Sequence, residues 1–255
     1  MTQAVETYTE LDEPWLVLGE RRFRSRLLVG IEQYDDPVAV REVLAASGCD
    51  VFITTMDPDN SRASLLLTDM AEELPEHEFH WIGTTSFARS AESALRTARM
   101  LRDFYDIDVL KLDVRSPDNV PDNEATVAAA GTLRAEGLDI LPFILPDVPT
   151  ARALESLGCA ALRVMAAPVA SGRGIPGPGR IREVIESVGL PVIVEGGLGT
   201  ARHVVTAMEL GAAGVLVNTA LVQAERPLLL AEAMKHAVRA GLLSHRSGPM
   251  GGDPL

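Results

Sequence analysis

The sequence predicts an α/β protein with a single (β/α)8 barrel, and three observations lead to that fold class. Short apolar segments alternate with amphipathic stretches, eight strand–helix units fill residues 26–241, and the units repeat every roughly 22 to 30 residues. The chain of 255 residues is 47% hydrophobic, which is enough for one large core. A doubly wound sheet is the alternative, but it opens with GxGxxG after its first strand, where this chain has GIEQYDD.

The eight predicted strands share a high content of Val, Ile, Leu and Thr, as expected of strands buried on both faces. In chain order they are residues 26–30, 51–56, 79–85, 109–114, 139–144, 161–166, 191–196 and 214–219. Helical patterns such as residues 88–103 lie between them, and several end at a glycine just before the next strand. We expect a short hairpin at residues 15–24 below the barrel, barrel structure through residue 243, and a flexible Gly/Pro-rich tail at residues 244–255.

Charge and hydropathy exclude several classes of partner. With 23 basic and 36 acidic side chains, the formal net charge is −13, whereas nucleic acids and anionic membranes require clustered Lys and Arg. No basic segment followed by an apolar run opens the chain, and no apolar run approaches the length of a membrane helix. We therefore expect a cytoplasmic protein that binds neither nucleic acid nor membrane.

Cysteine and lysine usage narrows the candidate chemistry. Cys49 and Cys159 each precede an apolar segment and are expected to be buried, reduced thiols. The chain has no CxxC, Cys/His cluster or HExxH, so no metal site is predicted. Only two of the 23 basic residues are lysines, Lys111 and Lys235, which makes the position of each lysine informative.

The fourth predicted strand carries the candidate nucleophile. Lys111 and Asp113 are two residues apart and share one face of the strand, while Leu110 and Leu112 take the other face. The leucines should face the helices, which directs the lysine and the aspartate into the barrel. Burial of an amine favours its neutral form, which attacks carbonyl groups. A structural Lys–Asp ion pair is the alternative.

Candidate ligand-binding residues follow the last three predicted strands, at the carboxyl ends where barrel active sites lie. Two of these segments lead into helices, and their backbone amides form a candidate phosphate-binding site: Gly196 and Gly197 in one, Asn218 and Thr219 in the other. Ordinary turns are the alternative. Gly172 lies in a glycine-rich loop after the sixth strand, either a cover for the site or a flexible linker.

The residues together predict a sugar-phosphate-sized substrate bound through its phosphate and attacked at a carbonyl by Lys111. Asp113 and Glu195, the latter at the end of the seventh strand, would transfer protons around the imine.

At these residues the chain resembles the thiazole synthase (ThiG) family, from residue 15 to about residue 241. The resemblance rests on GERRFRSRLLVG, RTARMLRD, KLDV, EGLDILPF, PVIVEGGLGT, AMELGAAGVLVNTAL and AMKHAVRAG, in the order of the family. It implies that Lys111 forms an imine with a sugar phosphate and that Asp113 and Glu195 are the acid–base pair. It also implies a homo-oligomer, no bound cofactor, and sulfur supplied by the C-terminal Gly-Gly thiocarboxylate of a small ubiquitin-like sulfur carrier protein.

Differences from the family pattern fall in the predicted site. The family reads KLEV and VDAGIG where this chain has KLDV and VEGGLG, so Asp113 and Glu195 have exchanged side-chain lengths. The exchange either changes the substrate or is neutral. The GSPIGSG loop is AAPVASG here, and the NTAGC-like turn is TTSFA.

The lysine is unchanged while the segments around it differ from the family pattern. In this the chain resembles the 2-thiosugar synthases of antibiotic biosynthesis, which are divergent BexX-like relatives of the family. This resemblance implies conversion of glucose 6-phosphate to 2-thioglucose 6-phosphate. The alternative is a thiazole synthase of thiamin biosynthesis that acts on 1-deoxy-D-xylulose 5-phosphate. A class I aldolase or isomerase, and a non-catalytic barrel that binds a sugar phosphate, remain as further alternatives.

Overall fold

All eight predicted strands are present in the computed structural model, which describes residues 13–34, 36–57, 62–63 and 79–248. The strands are β1 Leu16–Leu18, β2 Arg21–Phe23, β3 Leu27–Val29, β4 Val51–Asp57, β5 Arg62–Ala63, β6 His80–Thr84, β7 Val109–Leu112, β8 Asp139–Ile144, β9 Leu162–Met165, β10 Val192–Glu195 and β11 Gly214–Val217. The short β5 is an addition to the prediction and pairs antiparallel with β4.

Helices follow the strands around the outside of the sheet. Those described are α1 Pro37–Ser47, α2 Ala91–Tyr105, α3 Asn123–Ala135, α4 Val148–Ser156, α5 Pro178–Ser187, α6 Ala201–Glu209, α7 Thr219–Val222 and α8 Pro227–Ser247. The first four begin at Asp or Ser side chains that accept bonds from first-turn amides. None of the helices described is long and apolar enough to span a membrane.

The eight barrel strands are parallel, in the spatial order β3, β11, β10, β9, β8, β7, β6, β4. β3 and β4 lie side by side at the two ends of this series, and no ladder joins them within the part of the chain that is described. The arrangement is a nearly closed (β/α)8 (TIM) barrel, and the predicted fold class is confirmed.

Side-chain alternation on β7 is as predicted. A Cβ added at Gly83 of β6 would lie 2.8 Å from Leu101 of α2 and 3.1 Å from Leu110, so Leu110 packs in the layer between the strands and the helices. Lys111 and Asp113 take the opposite face and are buried inside the barrel. The interior of this barrel therefore contains charge as well as apolar side chains.

The N-terminal hairpin of β1 and β2 lies at the amino ends of the barrel strands, as predicted. Buried Phe23 contacts the rings of Trp15 and His80, and His80 shares a 3.0 Å hydrogen bond with the Arg22 carbonyl. Just after the hairpin, the backbone amides of residues 24 and 25 donate to the Asp50 carboxylate that precedes β4. The hairpin is thereby attached to the end of the barrel remote from the predicted site.

The C-terminal helix extends beyond the predicted end of the barrel. α8 continues through Ser247, where residue 243 was the expected boundary. The Ser244 hydroxyl donates to Glu209, and the His245 ring shares a hydrogen bond with the carbonyl of the same residue. These contacts join residues 244–247 to the end of α6, and Gly248 is the C-cap of α8. The rest of the predicted tail, residues 249–255, lies outside the described residues.

Both cysteines are free and buried, as predicted, and we expect them to be inert in the native protein. Burial raises the pKa of the Cys49 thiol and of the Cys159 thiol to about 12. Because the thiolate is the reactive form, native protein should resist iodoacetamide at about pH 8 and take up two labels in urea. Labelling of the folded protein at the same rate as the unfolded protein would contradict this expectation.

The same pKa shifts predict how the stability of the protein depends on pH. Folding raises the pKa of each thiol above its value of about 8.5 in the unfolded chain. Each thiol therefore contributes to the stability of the native state below about pH 8.5, and this contribution is lost as the pH rises toward 12. Stability should therefore decline above about pH 9.

Candidate active site

A cavity of about 530 Å³ opens at the carboxyl ends of the barrel strands. Seven of the eight residues predicted for the site line it: Lys111, Gly172, Glu195, Gly196, Gly197, Asn218 and Thr219. The eighth, Asp113, is fully buried, with an oxygen 3.5 Å from the Lys111 Nζ. The fold thus brings the predicted residues together from four different strand ends.

Lys111 has loose polar contacts on three sides. Its Nζ lies 3.5 Å from Glu32 Oε1, 3.5 Å from Asp113 Oδ2 and 3.4 Å from the Ser86 hydroxyl. The residue is 3% exposed, and it borders the cavity. An amine in this position is shielded from bulk water and accessible to a molecule that fills the cavity.

A buried arginine, which the sequence prediction did not include, organises the two predicted acid–base residues. Arg163 of β9 is 1% exposed and donates from Nη2 to Asp113 Oδ1 at 2.6 Å and from Nε to Glu195 Oε2 at 2.8 Å. It also donates to the Leu141 carbonyl at 3.1 Å and lies over the Phe143 ring. The sequence did contain a signal for Arg163, because it is the single charged residue in the apolar segment ALRVMA. The strand-alternation argument that placed Lys111 inside the barrel would have placed Arg163 there too.

Arg115 is a second buried cation in this network. Its Nε donates to Asp113 Oδ2 at 3.0 Å, its Nη2 bonds the same oxygen, and its guanidinium lies 5.2 Å from the centre of the Phe143 ring. Burial acts to raise the pKa of Asp113, but the charges of Arg163, Lys111 and Arg115 outweigh it and hold that pKa well below the ordinary aspartate value. Asp113 is therefore a fixed anion.

A third carboxylate, also absent from the prediction, faces the cavity beside Lys111. Glu32 follows β3, and its Oε2 accepts a 2.8 Å hydrogen bond from Asn218 Nδ2. Its Oε1 is near both Lys111 and the Ser86 hydroxyl. The sequence offers little signal for Glu32, because it lies in a turn and meets Lys111 only through closure of the barrel.

Two glycines after β10 allow close packing at the mouth. Gly196 and Gly197 have positive φ angles of 79° and 70°. A Cβ at Gly196 would lie 2.7 Å from the Ala167 carbonyl oxygen, and one at Gly197 would lie 2.6 Å from the Ala167 Cβ. Glycine is thus needed here for backbone shape and for the approach of the loop after β9.

The loop after β9 is ordered and joined to the loop after β10. The Gly174 amide donates to the Gly197 carbonyl at 2.8 Å, and a Cβ at Gly199 would lie 3.1 Å from the Gly172 Cα. Val169, Ala170 and Gly172 of this loop border the cavity. The loop therefore packs beside the cavity, and its role as a cover for the site stays a prediction.

The side chains of Asn218 and Thr219 contact the loop after β3. Asn218 donates to Glu32, and Thr219 Oγ1 accepts from Gln33 Nε2 at 3.1 Å. The Asn218 and Thr200 side chains stand at the starts of α7 and α6 without capping the first-turn amides. The N-cap side chains thus do not occupy the first-turn amides at these positions. Across the described part of the chain, no three His, Cys, Asp or Glu side chains are grouped to hold a metal ion.

Comparisons with known proteins agree with the predicted resemblance. The family model described as "Thiazole biosynthesis protein ThiG" matches residues 17–253. A thiazole synthase of Sorangium cellulosum is 40% identical over 92% of this chain and 91% of its own, and one of Aquifex aeolicus is 36% identical over 94% and 90%.

Solved structures agree as well. A chain in the crystal structure of the Amycolatopsis orientalis BexX/CysO complex is 68% identical, with a TM-score of 0.92 over 96% of this chain and 100% of that one. Thiamine phosphate pyrophosphorylase from Pyrococcus furiosus shares the fold alone, at 19% identity and a TM-score of 0.58, over 85% of this chain and 95% of its own. The chain therefore belongs to the ThiG family, as a divergent member similar to BexX.

Proposed function

We propose that the protein is a sulfur-transferring synthase in which Lys111 forms an imine with a sugar phosphate and a sulfur carrier protein supplies the sulfur. The observation that carries the proposal is the position of Lys111, a buried amine on the wall of the cavity between Glu32 and Asp113. No cofactor is needed for this chemistry, because the covalent bond to the substrate is made by the lysine itself.

The contacts of Lys111 favour a nucleophile over a structural cation. Arg163 holds its carboxylate partners at 2.6 to 3.1 Å, whereas every polar contact of Lys111 is 3.4 or 3.5 Å long. Tight pairing is what makes a buried charge structural, and Arg163 already supplies it to Asp113 and Glu195. Lys111 is held loosely enough to exchange its partners for a carbonyl carbon.

The phosphate would bind at the mouth formed by the loops after β10 and β11. The helices α6 and α7 begin there, and their N-cap side chains do not bond the first-turn amides. The amides of residues 203 and 221 donate to the Thr200 and Asn218 carbonyls, so the amides of residues 201, 202, 219 and 220 would face a ligand. The helix dipoles and the glycines at 196 and 197 favour an anion that approaches the backbone closely. Gly172 and Thr219 also line the cavity, and we assign both to substrate binding.

Sulfur would arrive as the C-terminal Gly-Gly thiocarboxylate of a small ubiquitin-like carrier protein. Support comes from the 68% identical chain, whose structure was solved as a complex of BexX with CysO. A Gly-Gly tail needs a narrow path, and the cover loop around Gly172 borders the cavity with small residues, among them Ala170. The thiocarboxylate sulfur would add to the imine carbon. Departure of the Lys111 amine from that carbon, and hydrolysis of the carrier's acyl–sulfur bond, would leave the sulfur on the sugar and the carrier as its carboxylate.

We propose glucose 6-phosphate as the substrate and 2-thioglucose 6-phosphate as the product. The carbonyl at C2, reached by isomerisation, would become the Lys111 imine. The higher identity to BexX than to the thiazole synthases favours this substrate, and a cavity of about 530 Å³ accommodates a sugar phosphate. The thiazole synthases of Sorangium and Aquifex favour the second candidate, 1-deoxy-D-xylulose 5-phosphate.

Borohydride trapping tests the imine and the substrate in one experiment. The protein is mixed with either sugar phosphate, reduced, weighed intact and mapped by peptide. We expect one hexose phosphate, less one water and plus two hydrogens, on Lys111. Lys235, the other lysine of the chain and about half exposed, is the internal control and should remain unmodified. An adduct with the pentulose phosphate alone would indicate a thiazole synthase, and no adduct with either would refute the imine.

A further inference from the structure

We propose that Glu32 is the residue that transfers protons to and from the Lys111 nitrogen during imine formation, and that Asp113 and Glu195 fix the charge around it. This inference rests on the proposed function, since it concerns the same imine. It assigns to a residue in the turn after β3 the proton transfer that the sequence predicted for Asp113 and Glu195.

The two predicted carboxylates are fully engaged by arginine. Both oxygens of Glu195 accept from Arg163, at 2.8 and 3.1 Å, and the oxygens of Asp113 are divided between Arg163 and Arg115. A carboxylate that takes up a proton in this setting gives up charge-assisted hydrogen bonds in a buried site. Asp113 and Glu195 are therefore held by arginine, and neither has an oxygen left without a guanidinium partner.

Glu32 has the contacts that a proton carrier requires. Its hydrogen-bond partners are Lys111, Ser86 and Asn218, and its side chain is about 10% exposed at the edge of the cavity. The charged groups that face it are Lys111 and, at longer range, Arg115, which is already bonded to Asp113. The Glu32 carboxylate thus contacts the Lys111 amine directly, and its other described hydrogen-bond partners are neutral, so it is placed to exchange a proton with the Lys111 nitrogen.

The chain is built to hold Glu32 in this place. A Cβ added at Gly30 would lie 2.7 Å from Glu32 Oε2 and 2.8 Å from Asn218 Nδ2, so a larger residue at position 30 would displace the pair. Ile31, between Gly30 and Glu32 in the sequence, is buried, and its carbonyl accepts a hydrogen bond from the Tyr34 amide that closes the turn. The Glu32 carboxylate is thus oriented by backbone shape and by Asn218 together.

The proton balance of the step closes within the site. The Glu32 carboxylate takes a proton from the Lys111 ammonium, and the neutral amine adds to the C2 carbonyl to give a carbinolamine. Glu32 then returns that proton to the departing hydroxyl, the C–O bond breaks, water leaves, and the nitrogen electron pair forms the protonated imine. No oxidant, reductant or metal is required.

The test compares Glu32→Gln with the native protein by the rate of borohydride-trapped imine as a function of pH. Glutamine keeps an oxygen for Asn218 and removes the ionisable group. We expect at least about a 100-fold slower rate and a pH–rate profile that differs from the native one. Glu32→Asp should recover part of the rate, and Glu42→Gln on the exposed face of α1 is the matched control with the native rate.

Two other variants separate proton transfer from charge. Asp113→Asn and Glu195→Gln should keep the shape of the native pH–rate profile, whatever their rates, because Glu32 is still present. A Glu32→Gln variant with the native rate and pH profile overturns this inference alone. Native protein that traps neither sugar phosphate overturns the proposed function, and this inference with it.

Discussion

Replacing Arg163 with methionine is expected to lower the free energy of unfolding by about 3–5 kcal/mol at neutral pH. The change leaves Asp113 and Glu195 buried without their shared cation and removes the bond to the Leu141 carbonyl. Urea unfolding followed by far-UV circular dichroism measures the effect. A loss below about 1 kcal/mol would show that water or another cation compensates these carboxylates.

The pH dependence of this loss has a definite sign. In the native protein the pKa of Asp113 is lowered, so its contribution to stability is present above its unfolded value near pH 4 and is lost as the pH falls toward the folded value. Arg163→Met removes much of that contribution, so the difference between the proteins should be full at pH 7 and smaller below about pH 4.

Two variants serve as controls for Arg163→Met. Arg152→Met on the exposed face of α4 removes a guanidinium from the surface and should change the free energy of unfolding by less than about 0.5 kcal/mol. Adding Asp113→Asn and Glu195→Gln to Arg163→Met should recover part of the loss, because neutral amides are less costly to bury than unpaired carboxylates. Failure of the triple variant to recover stability would favour shape, including the contact with Phe143, over charge.

Lys111→Arg is expected to abolish the borohydride-stable adduct and to reduce turnover on the order of 1000-fold or more. A guanidinium keeps the positive charge between Glu32 and Asp113 but does not form an imine at neutral pH. Intact mass after reduction, together with product formation in the presence of a carrier thiocarboxylate, measures the loss. A variant that still forms the adduct would place the imine elsewhere in the chain.

The design separates chemistry from stability. Because the Lys111 side chain ends at the cavity, the larger arginine has space there, and the urea midpoint of Lys111→Arg should stay near the native value. Lys111→Ala also loses the adduct, but it leaves Glu32 and Asp113 with one cation fewer and should be less stable. Lys235→Arg on α8 should retain both the adduct and the stability.

The fold was predictable from local patterns, because each strand of a parallel barrel has its own apolar signature and each helix its own period. The sharing of one face by Lys111 and Asp113 also followed from strand alternation alone. The end of α8 was less predictable, because the composition of SHRSG is typical of a flexible tail. Its helical structure depends on contacts of Ser244 and His245 with Glu209, which is distant in sequence.

The site was predictable in composition but not in pairing. Strand ends gave seven lining residues, yet which carboxylate is neutralised depends on Arg163, which lies 50 residues from Asp113 and 32 from Glu195. Glu32 meets Lys111 across 79 residues, between strands that are not neighbours in the sheet. Contacts between residues so far apart in sequence form only when the barrel closes, so local sequence patterns do not predict them.

The gap in pairing between β3 and β4 has a dynamic consequence. β7, which carries Lys111, is hydrogen bonded on both sides, whereas β3 is bonded along β11 and is joined to the β4 side through the Asp50 carboxylate. Local openings of low free energy are expected where buried contacts and protected backbone hydrogen bonds are few. Glu32 lies just beyond β3, so opening of this seam would move the Glu32 carboxylate while Lys111 stays in place on β7. If the proposed roles of the two residues hold, the distance between acid and amine is the part of the site that can be adjusted.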